Sequence, residues 1–489
     1  MVAPRTRPFG DIADFYAAIW SAVRETVERW HLAIVIEVAM VVGWFAIRTV
    51  AGADGRTYFL WVIAAGVLAL VAPRSGLVVF VATSVFFEPE SFARAIAPRE
   101  FVLIPLAIGV VVRVAMDRFR WRPGLAIYVA VLLAAGTALG VLHSFIRFQD
   151  DVAWHAARSW LGNMLAPIIL LIAAAWVSRE GSRRVLVVAI GVAVLAAFVC
   201  LVEYASPGSV STGPLAWVGF WKDFGARLSG TIPSPNALSA QLIVPTAVVL
   251  AAVAFARSIP IRLLAAAASS VLVVAHYLTY SRSPLVGAYV FAVIVAWRIR
   301  RVLGIVVLAA GIAVAALFLP TYLQIRSQSA LEGAVTPGSI LVASDAFRFR
   351  AWSAASLMWL DAPVTGQGYL AYKELADSFS DPALGSPHNE WLRLFAEEGI
   401  AVGLLGLLFI AVTARSLARI PGSLGSGLLG GFAAYVVAAT FNNPFLFINV
   451  SAVAFPMIGV GLALAAGLKM PIAPVSTEHA QGEPATALN

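Results

Sequence analysis

The sequence predicts an all-α polytopic membrane protein with about 12–14 transmembrane helices and one large outward-facing loop of short helices. Of its 489 residues, 61% are apolar and only 12% are charged, whereas soluble proteins are roughly 45–50% apolar and about 25% charged. The apolar residues form stretches of about 20, the length that crosses a bilayer as a helix. The mean hydropathy of +0.88 and this composition exclude a water-soluble enzyme.

The apolar stretches divide the chain into five segments. Residues 1–31 carry apolar side chains at helical spacing from residue 11 onward, which predicts an amphipathic cytoplasmic helix. Residues 32–320 hold helices 1–11, 321–395 form the large outward loop, 396–468 hold the last helices, and 469–489 form a cytoplasmic tail. The third and tenth of these fourteen stretches are short, so twelve spans remain an alternative. The predicted spans are 32–50, 57–72, 76–88, 101–116, 125–142, 159–177, 184–203, 236–256, 263–280, 284–297, 302–320, 396–414, 425–441 and 446–468.

Basic residues orient the chain. With the N-terminus in the cytoplasm, every second connection between spans is basic, as the positive-inside rule requires. The net charge of +8 is therefore explained by topology, and no nucleic-acid partner is needed. The single cysteine, Cys200, lies in an apolar stretch, which excludes a disulfide framework and a cysteine metal site. The basic positions are Arg74, Arg118, Arg120, Arg122, Arg179, Arg183, Arg184, Arg257, Arg262, Arg298, Arg300, Arg301, Arg415, Arg419 and Lys469, with Arg5, Arg7, Arg24 and Arg29 before the first span.

Four outward segments are long enough to do more than connect helices: 88–100, 143–158, 204–235 and 321–395. No Walker loop or kinase signature occurs in the sequence. An enzyme that faces outward has no ATP, so its substrate must arrive already activated.

Two motifs flank predicted spans on this side. Arg227-Leu-Ser-Gly-Thr-Ile-Pro-Ser-Pro-Asn236 leads into the eighth span, where Asn236 is expected to cap the helix. Tyr280-Ser-Arg282-Ser-Pro284 is a tight hairpin that places Arg282 at the membrane surface. An ordinary capped turn and a snorkelling arginine are the alternatives. An outward arginine nevertheless favours an anionic ligand.

Two further motifs lie in the large loop. Arg348-Phe-Arg350-Ala-Trp352 and Pro363-Val-Thr-Gly-Gln-Gly368 predict a short amphipathic helix ended by a glycine-rich turn. Pairing of its arginines with Asp345 or Asp361 is the alternative.

Ser386-Pro-His388-Asn389-Glu390-Trp391 predicts a helix start, with Ser386 as N-cap and His388 in the first turn. The field of a helix N-terminus favours anions and a neutral imidazole. A purely structural histidine is the alternative.

Outward arginines, one histidine and no metal-ligand cluster suit a pyrophosphate leaving group and a hydroxyl acceptor. Arginine binds phosphate oxygens bidentately and stays charged at any relevant pH. A neutral histidine near the acceptor hydroxyl is suited to act as general base.

The order of these motifs resembles the O-antigen ligase / O-antigen polymerase superfamily of bacterial membrane glycosyltransferases, which have a GT-C-like fold. The resemblance is firm over about residues 227–415, and His388-Asn389 followed by Glu398-Gly399 is its most specific part. The matching motifs are R-L-S-G-T-I-P-S-P-N at 227–236, Y-S-R-S at 280–283, R-F-R-A-W with P-V-T-G-Q-G at 348–368, and P-H-N-E-W-L-R-L-F-A-E-E-G-I-A-V-G-L-L-G at 387–406.

The resemblance implies transfer of a glycan from undecaprenyl pyrophosphate on the periplasmic face of the bacterial inner membrane, without metal, nucleotide or other cofactor. It places catalytic roles on Arg282, Arg348 and His388. It implies substrate-binding roles, less firmly, for Arg227, Asn236, Arg350 and Asn389. The partners implied are the lipid-linked donor, membrane lipid, and a lipid A-core or growing glycan as acceptor.

Several alternatives stay open. A ligase and a repeat-unit polymerase share this chemistry and differ only in the acceptor. A lipid-linked oligosaccharide flippase is a second class, although it should carry charged residues inside its spans. Glu37 and Arg113 are the clear mid-span candidates for such charges. A scaffold for envelope assembly is a third reading, and whether His388 is a base or a phosphate ligand is also open.

Overall fold

A computed structural model describes residues 31–50, 55–84, 100–116, 123–180, 183–207, 234–255, 258–331, 337–380 and 386–467, with a few isolated positions between them. The predicted amphipathic helix at 11–31, Arg227, most of the segment 204–235 and the tail 469–489 lie outside the described residues.

The described chain is entirely helical, and it contains no strand. Each predicted span coincides with a helix. The α-helices are α1 His31–Val50, α2 Gly55–Val71, α3 Pro73–Ser84, α4 Glu100–Met116, α5 Leu125–Arg147, α6 Asp150–Trp160, α7 Ala166–Val177, α8 Arg184–Ala205, α9 Pro235–Phe255, α10 Ile259–Leu278, α11 Arg282–Ile299, α12 Arg301–Leu331, α13 Pro337–Asp361, α14 Ala371–Phe379, α15 Glu390–Ala418, α16 Gly422–Phe441 and α17 Ile448–Gly467.

The prediction of an all-α polytopic membrane protein is confirmed. Within the described residues, eight helices are long and apolar enough to cross a membrane, and five shorter helices are apolar. One of the eight is the continuous run Asp150–Val177, in which one π-helical turn joins α6 to α7. Helix α3 is in neither group, and its 12 residues rise only about 18 Å at 1.5 Å per residue. The total of 12–14 spans therefore stays a prediction.

Two predicted connections are helical instead. The segment 143–158 is divided between the end of α5 at Arg147 and the start of α6 at Asp150. The large loop begins later than expected, because α12 continues to Leu331, and it contains α13 and α14. Polar side chains at a helix end do not break a helix when its backbone groups stay hydrogen-bonded. The hydropathy boundary therefore fell inside these helices.

Helix α13 is not the amphipathic helix that the sequence predicts. Its buried side carries Ala351, Ala354 and Met358, and its exposed side carries the apolar residues Phe349 and Leu360. The two arginines therefore interrupt a helix that is apolar on both sides. The glycine-rich turn after it is observed as predicted.

Helices α9, α16 and α17 form the buried centre of the bundle. Gly431 in α16 packs against α9, where an added Cβ would lie 3.1 Å from Ala247 Cβ. The Gln241 side chain in α9 donates to the Asn449 carbonyl in α17 at 3.0 Å. These contacts bring the N-termini of α9 and α17 to the end of the bundle where α16 finishes at Phe441. We call this the His388 end, because the segment before α15 lies there.

The two mid-span charges have structural partners. Glu37, which is 4% exposed, forms an ion pair with Arg184 and so joins α1 to α8. Arg113 donates to the Val71 carbonyl at 2.9 Å and so joins α4 to α2. Both charges therefore join neighbouring helices.

Candidate active site

His388 lies immediately before α15 and not in its first turn. The N-cap is Asn389, whose Oδ1 accepts hydrogen bonds from the Trp391 and Leu392 amides at 3.1 and 3.0 Å. The prediction of Ser386 as N-cap is therefore wrong. The reason is the His388 backbone, whose φ of +49° is incompatible with a helix. The helix therefore starts at Glu390, two residues after His388.

The conformation of His388 is costly for a residue with a side chain. A left-handed backbone costs a non-glycine residue roughly 1–2 kcal/mol, and such strain persists only where surrounding contacts enforce it. The His388 amide donates to Ser386 Oγ at 3.3 Å. Strained residues of this kind concentrate at functional sites.

The imidazole of His388 lies near the guanidinium of Arg348. Burial, followed by the positive charge of Arg348, lowers the pKa of His388 to about 4. The ring is therefore neutral at pH 7 and has a lone pair free of a proton. The charge of Arg348 thus acts on His388, although the two residues are 40 residues apart in the chain.

The glycine-rich turn after α13 packs on the first half of α15. The Gln367 and Gly368 amides donate to the carbonyls of Ala396 and Glu397, at 3.0 and 2.8 Å. The Ile400 amide donates in return to the Pro363 carbonyl at 2.9 Å. These bonds hold the turn across a break in α15 at Gly399, where φ is +78°.

Glycine is required at this junction for two reasons. Gly366 and Gly399 have positive φ, and a Cβ at either would collide with the backbone of the other segment, at Glu397 and Val364 respectively. The glycine-rich turn and the segment at Glu398-Gly399, which are two of the sequence motifs, therefore pack directly against each other. It places α13, which carries Arg348, against α15, which follows His388.

A buried charged cluster stabilises the first half of α15. Arg393 is 2% exposed; its Nε donates to Glu390 Oε1 at 3.0 Å and its Nη1 to Glu397 Oε2 at 2.7 Å. Its guanidinium lies over the Tyr369 ring, 5.4 Å from the centroid. Buried charges of this kind persist only when they are paired and hydrogen-bonded.

A second arginine ties the turn to another helix. Arg147, at the end of α5, donates to the Gln367 side chain. The side-chain nitrogen of Gln367, Nε2, in turn donates to the Met358 carbonyl at 2.8 Å and to Asp361 Oδ2 at 2.9 Å. Asp361 therefore has a partner in the turn.

The motifs at 227–236 and 280–284 are also in contact. The hairpin between α10 and α11 is as tight as predicted, and its Ser281 hydroxyl donates to Asn236 Oδ1 at 2.8 Å. Asn236 lies in the first turn of α9, which begins at Pro235. The prediction that Asn236 caps this helix is therefore wrong. Its side chain reaches the neighbouring hairpin instead, and so brings both motifs to the His388 end.

Comparison with known families identifies the central part of the chain. Residues 264–410 match the family model described as O-antigen ligase. Over these residues, which are less than a third of the chain, the sequence is similar to that family. No curated protein matches the chain. The matched region runs from α10 into α15, and it includes Arg282, Arg348 and His388.

The O-antigen ligase region contains the predicted catalytic residues, and the structure brings two of them together. Arg348 and His388 are neighbours. Arg282 is the first residue of α11, at the same end, and its side chain lies outside the described atoms. Arg350 is exposed on α13. Asn389 uses its carboxamide oxygen for capping, and a role for it in substrate binding stays a prediction.

Two features near His388 were not predicted from the sequence. They are the charged cluster of α15 and Asn443, which lies between α16 and α17. Glu390, Arg393 and Glu397 are spaced three and four residues apart, a pattern that places them on one face of a helix and that the sequence displays. Asn443 offers no local signal, because its partners lie more than 50 residues away.

Proposed function

We propose that this protein is a metal-independent inverting glycosyltransferase of the O-antigen ligase type. It transfers an undecaprenyl-pyrophosphate-linked glycan to an acceptor hydroxyl on the periplasmic face of the bacterial inner membrane, with both termini in the cytoplasm. The observation that carries the proposal is the proximity of Arg348 to a neutral, strained His388, inside the region that matches the O-antigen ligase family.

The reaction is a single displacement at the anomeric carbon of the donor glycan. The acceptor oxygen forms a bond to this carbon as the bond from the carbon to the pyrophosphate oxygen breaks. The acceptor proton passes to the unprotonated nitrogen of His388, and undecaprenyl pyrophosphate leaves with the electron pair. Arg348 and Arg282 stabilise the negative charge that develops on the leaving group.

The low pKa of His388 fits this order of events. In the free protein the ring is neutral, so it accepts a hydrogen bond from an acceptor hydroxyl. The bound pyrophosphate adds negative charge beside the ring, and negative charge raises the pKa of histidine. The ring thus becomes a stronger base when the donor is present. Anion binding by Arg348 also offsets the positive charge that lowers the pKa in the free protein.

The test is transfer by the purified protein in nanodiscs, with an undecaprenyl-pyrophosphate glycan, a chelator and no ATP. His388→Ala is expected to lower the rate by about 10²–10⁴-fold, the usual value of a general base. Arg348→Ala should lower it by about 10²–10³-fold, as for loss of one group that stabilises developing charge. Lys373→Ala is the matched control, because Lys373 is an exposed cation on α14.

The acceptor decides between the two members of the superfamily. One sample receives a lipid A-core acceptor, and the other receives only more donor. A single transfer to the core lipid supports a ligase, and a ladder from donor alone supports a repeat-unit polymerase. Normal transfer by His388→Ala would contradict the mechanism. In a parallel experiment with the protein in liposomes, glycan that crosses the membrane without any transfer would favour the flippase.

A further inference from the structure

The end of α16 and the turn that follows it, residues 442–447, contact the segments that carry Arg348 and His388. The Trp391 indole N–H donates to Thr440 Oγ1 at 3.1 Å, and the Trp391 and Phe445 rings lie 6.4 Å apart. On the other side, the Phe441 ring lies 6.3 Å from the ring of Trp352, one turn along α13 from Arg348. The end of α16 therefore touches the middle of α13 and, together with Phe445 of the turn, the start of α15.

Asn443, at the centre of this turn, bridges the two sides of His388. It is 4% exposed, and both ends of its carboxamide are used. Its Oδ1 accepts from the Ser386 hydroxyl at 2.6 Å, and its Nδ2 donates to Glu390 Oε2 at 3.3 Å. The Glu390 carboxylate is an acceptor, so it selects the amide nitrogen of Asn443. Ser386 precedes His388 by two residues, and Glu390 follows it by two.

The hydrogen bonds form a continuous chain to the histidine. The Ser386 hydroxyl donates to Asn443 and accepts from the His388 amide. On the other side, Glu390 is held by Arg393, which is also paired with Glu397. Asn443 thus links the loop that holds the strained histidine to the rigid charged cluster of α15. The link to Glu390 is buried and the link to Ser386 is half-buried.

We propose that Asn443 is a positioning residue that holds His388 in the orientation needed for glycosyl transfer. The inference rests on the proposed function and extends it past residue 410, where the match to the O-antigen ligase family ends. Asn443 does not touch the reacting atoms. It acts through Ser386 and Glu390 on the backbone of His388.

Substitutions that exchange the hydrogen-bond donor of Asn443 and the acceptor of Glu390 test this role. Asn443→Asp keeps the shape of the side chain, but it removes the donor to Glu390 and sets two carboxyl groups against each other. We expect kcat to fall about 10–100-fold with little change in the donor KM, because a misplaced catalytic group slows the chemical step. Glu390→Gln alone sets two donors against each other, and we expect a loss in the same direction.

The double variant Asn443→Asp with Glu390→Gln is the matched control. It restores one donor and one acceptor at the contact, keeps the net charge of the chain, and leaves a carboxamide oxygen at position 390 as an acceptor for Arg393. We expect transfer to return to within a few-fold of the wild-type kcat. Thermal unfolding of all variants is measured alongside, to compare activity per folded molecule.

The outcomes separate this inference from the proposed function. Wild-type kcat in Asn443→Asp, or a double variant that recovers stability without transfer, would overturn the positioning role while the glycosyltransferase stands. Absence of transfer by the wild-type protein would overturn the proposed function itself. If Asn443→Asp does not fold, Ser386→Ala removes the same link at a half-buried position. A wild-type kcat in that variant would equally overturn the role.

Discussion

At the scale of single residues, the protein maintains His388 in a state that isolated histidine does not adopt. Its backbone is left-handed, and its pKa is lowered to about 4 by burial and by Arg348. The left-handed backbone costs free energy in the absence of substrate. Under the proposed function, part of the cost of orienting the base is met before the substrate binds.

The pH dependence of transfer should report this shift. An unperturbed histidine has a pKa of about 6.5 and would lose activity as the pH falls through that value. In this protein the ring stays neutral down to about pH 4, so kcat/KM should be flat between pH 8 and about pH 5.5 and fall below that. The measurement is a pH–rate profile at low donor concentration, which reports the free enzyme.

The same shift makes folding sensitive to acid. The unfolded chain takes up a proton at His388 below about pH 6.5, whereas the folded chain does so only near pH 4. Protonation of His388 therefore does not lower the free energy of unfolding above the unfolded pKa. That free energy decreases as the pH drops from 6.5 through about 4. Transfer that falls already at pH 6.5, in protein that is still folded, would contradict the buried position of His388.

At the scale of elements, the junction between the glycine-rich turn and the break in α15 sets the position of the site. The turn donates two amides to α15 and accepts one in return. Gly366 and Gly399 allow the two backbones to approach closely. This junction fixes the relation between the helix that carries Arg348 and the helix that follows His388.

Alanine at Gly366 or Gly399 should weaken this junction. Each substitution combines a positive φ with a collision against backbone atoms, so we expect a loss of about 2 kcal/mol or more in unfolding free energy. We also expect slower transfer per folded molecule. Gly191→Ala is the matched control, because an added Cβ there meets nothing within 4 Å. Equal melting temperatures for all three variants would argue against the junction.

At the scale of the whole molecule, distant motifs meet at one end of an antiparallel bundle. Asn236 and Ser281 are joined by a hydrogen bond, and Ser386 is joined to Asn443. Charges elsewhere in the bundle hold helices together, as the pair between Glu37 and Arg184 does. Stability and transfer should therefore be separable by mutation.

Glu37→Gln tests this separation. The substitution leaves Arg184, whose side chain is 24% exposed, without its counter-charge inside the bundle. Removal of one partner from a buried ion pair is destabilising, so the melting temperature should fall by a few degrees. Transfer per folded molecule should stay at the wild-type value, because the pair lies in α1 and α8, outside the candidate site. A variant that folds normally but transfers no glycan would give Glu37 a role in the reaction.

The fold class and the approximate position of each apolar helix follow from the sequence alone. Hydropathy decides both, because burial in lipid depends on the composition of one local stretch. Arg348 and His388 were also predicted from the sequence as candidate catalytic residues, because their residue types suit the proposed chemistry.

How these residues meet depends on the packing of the helices. The left-handed backbone of His388, the cap at Asn389 and the contact of Asn236 with Ser281 depend on partners from other segments. Asn443 reaches the site across more than 50 residues of chain. Hydrogen bonds between distant segments leave no periodic pattern in a sequence, because each depends on how two helices pack.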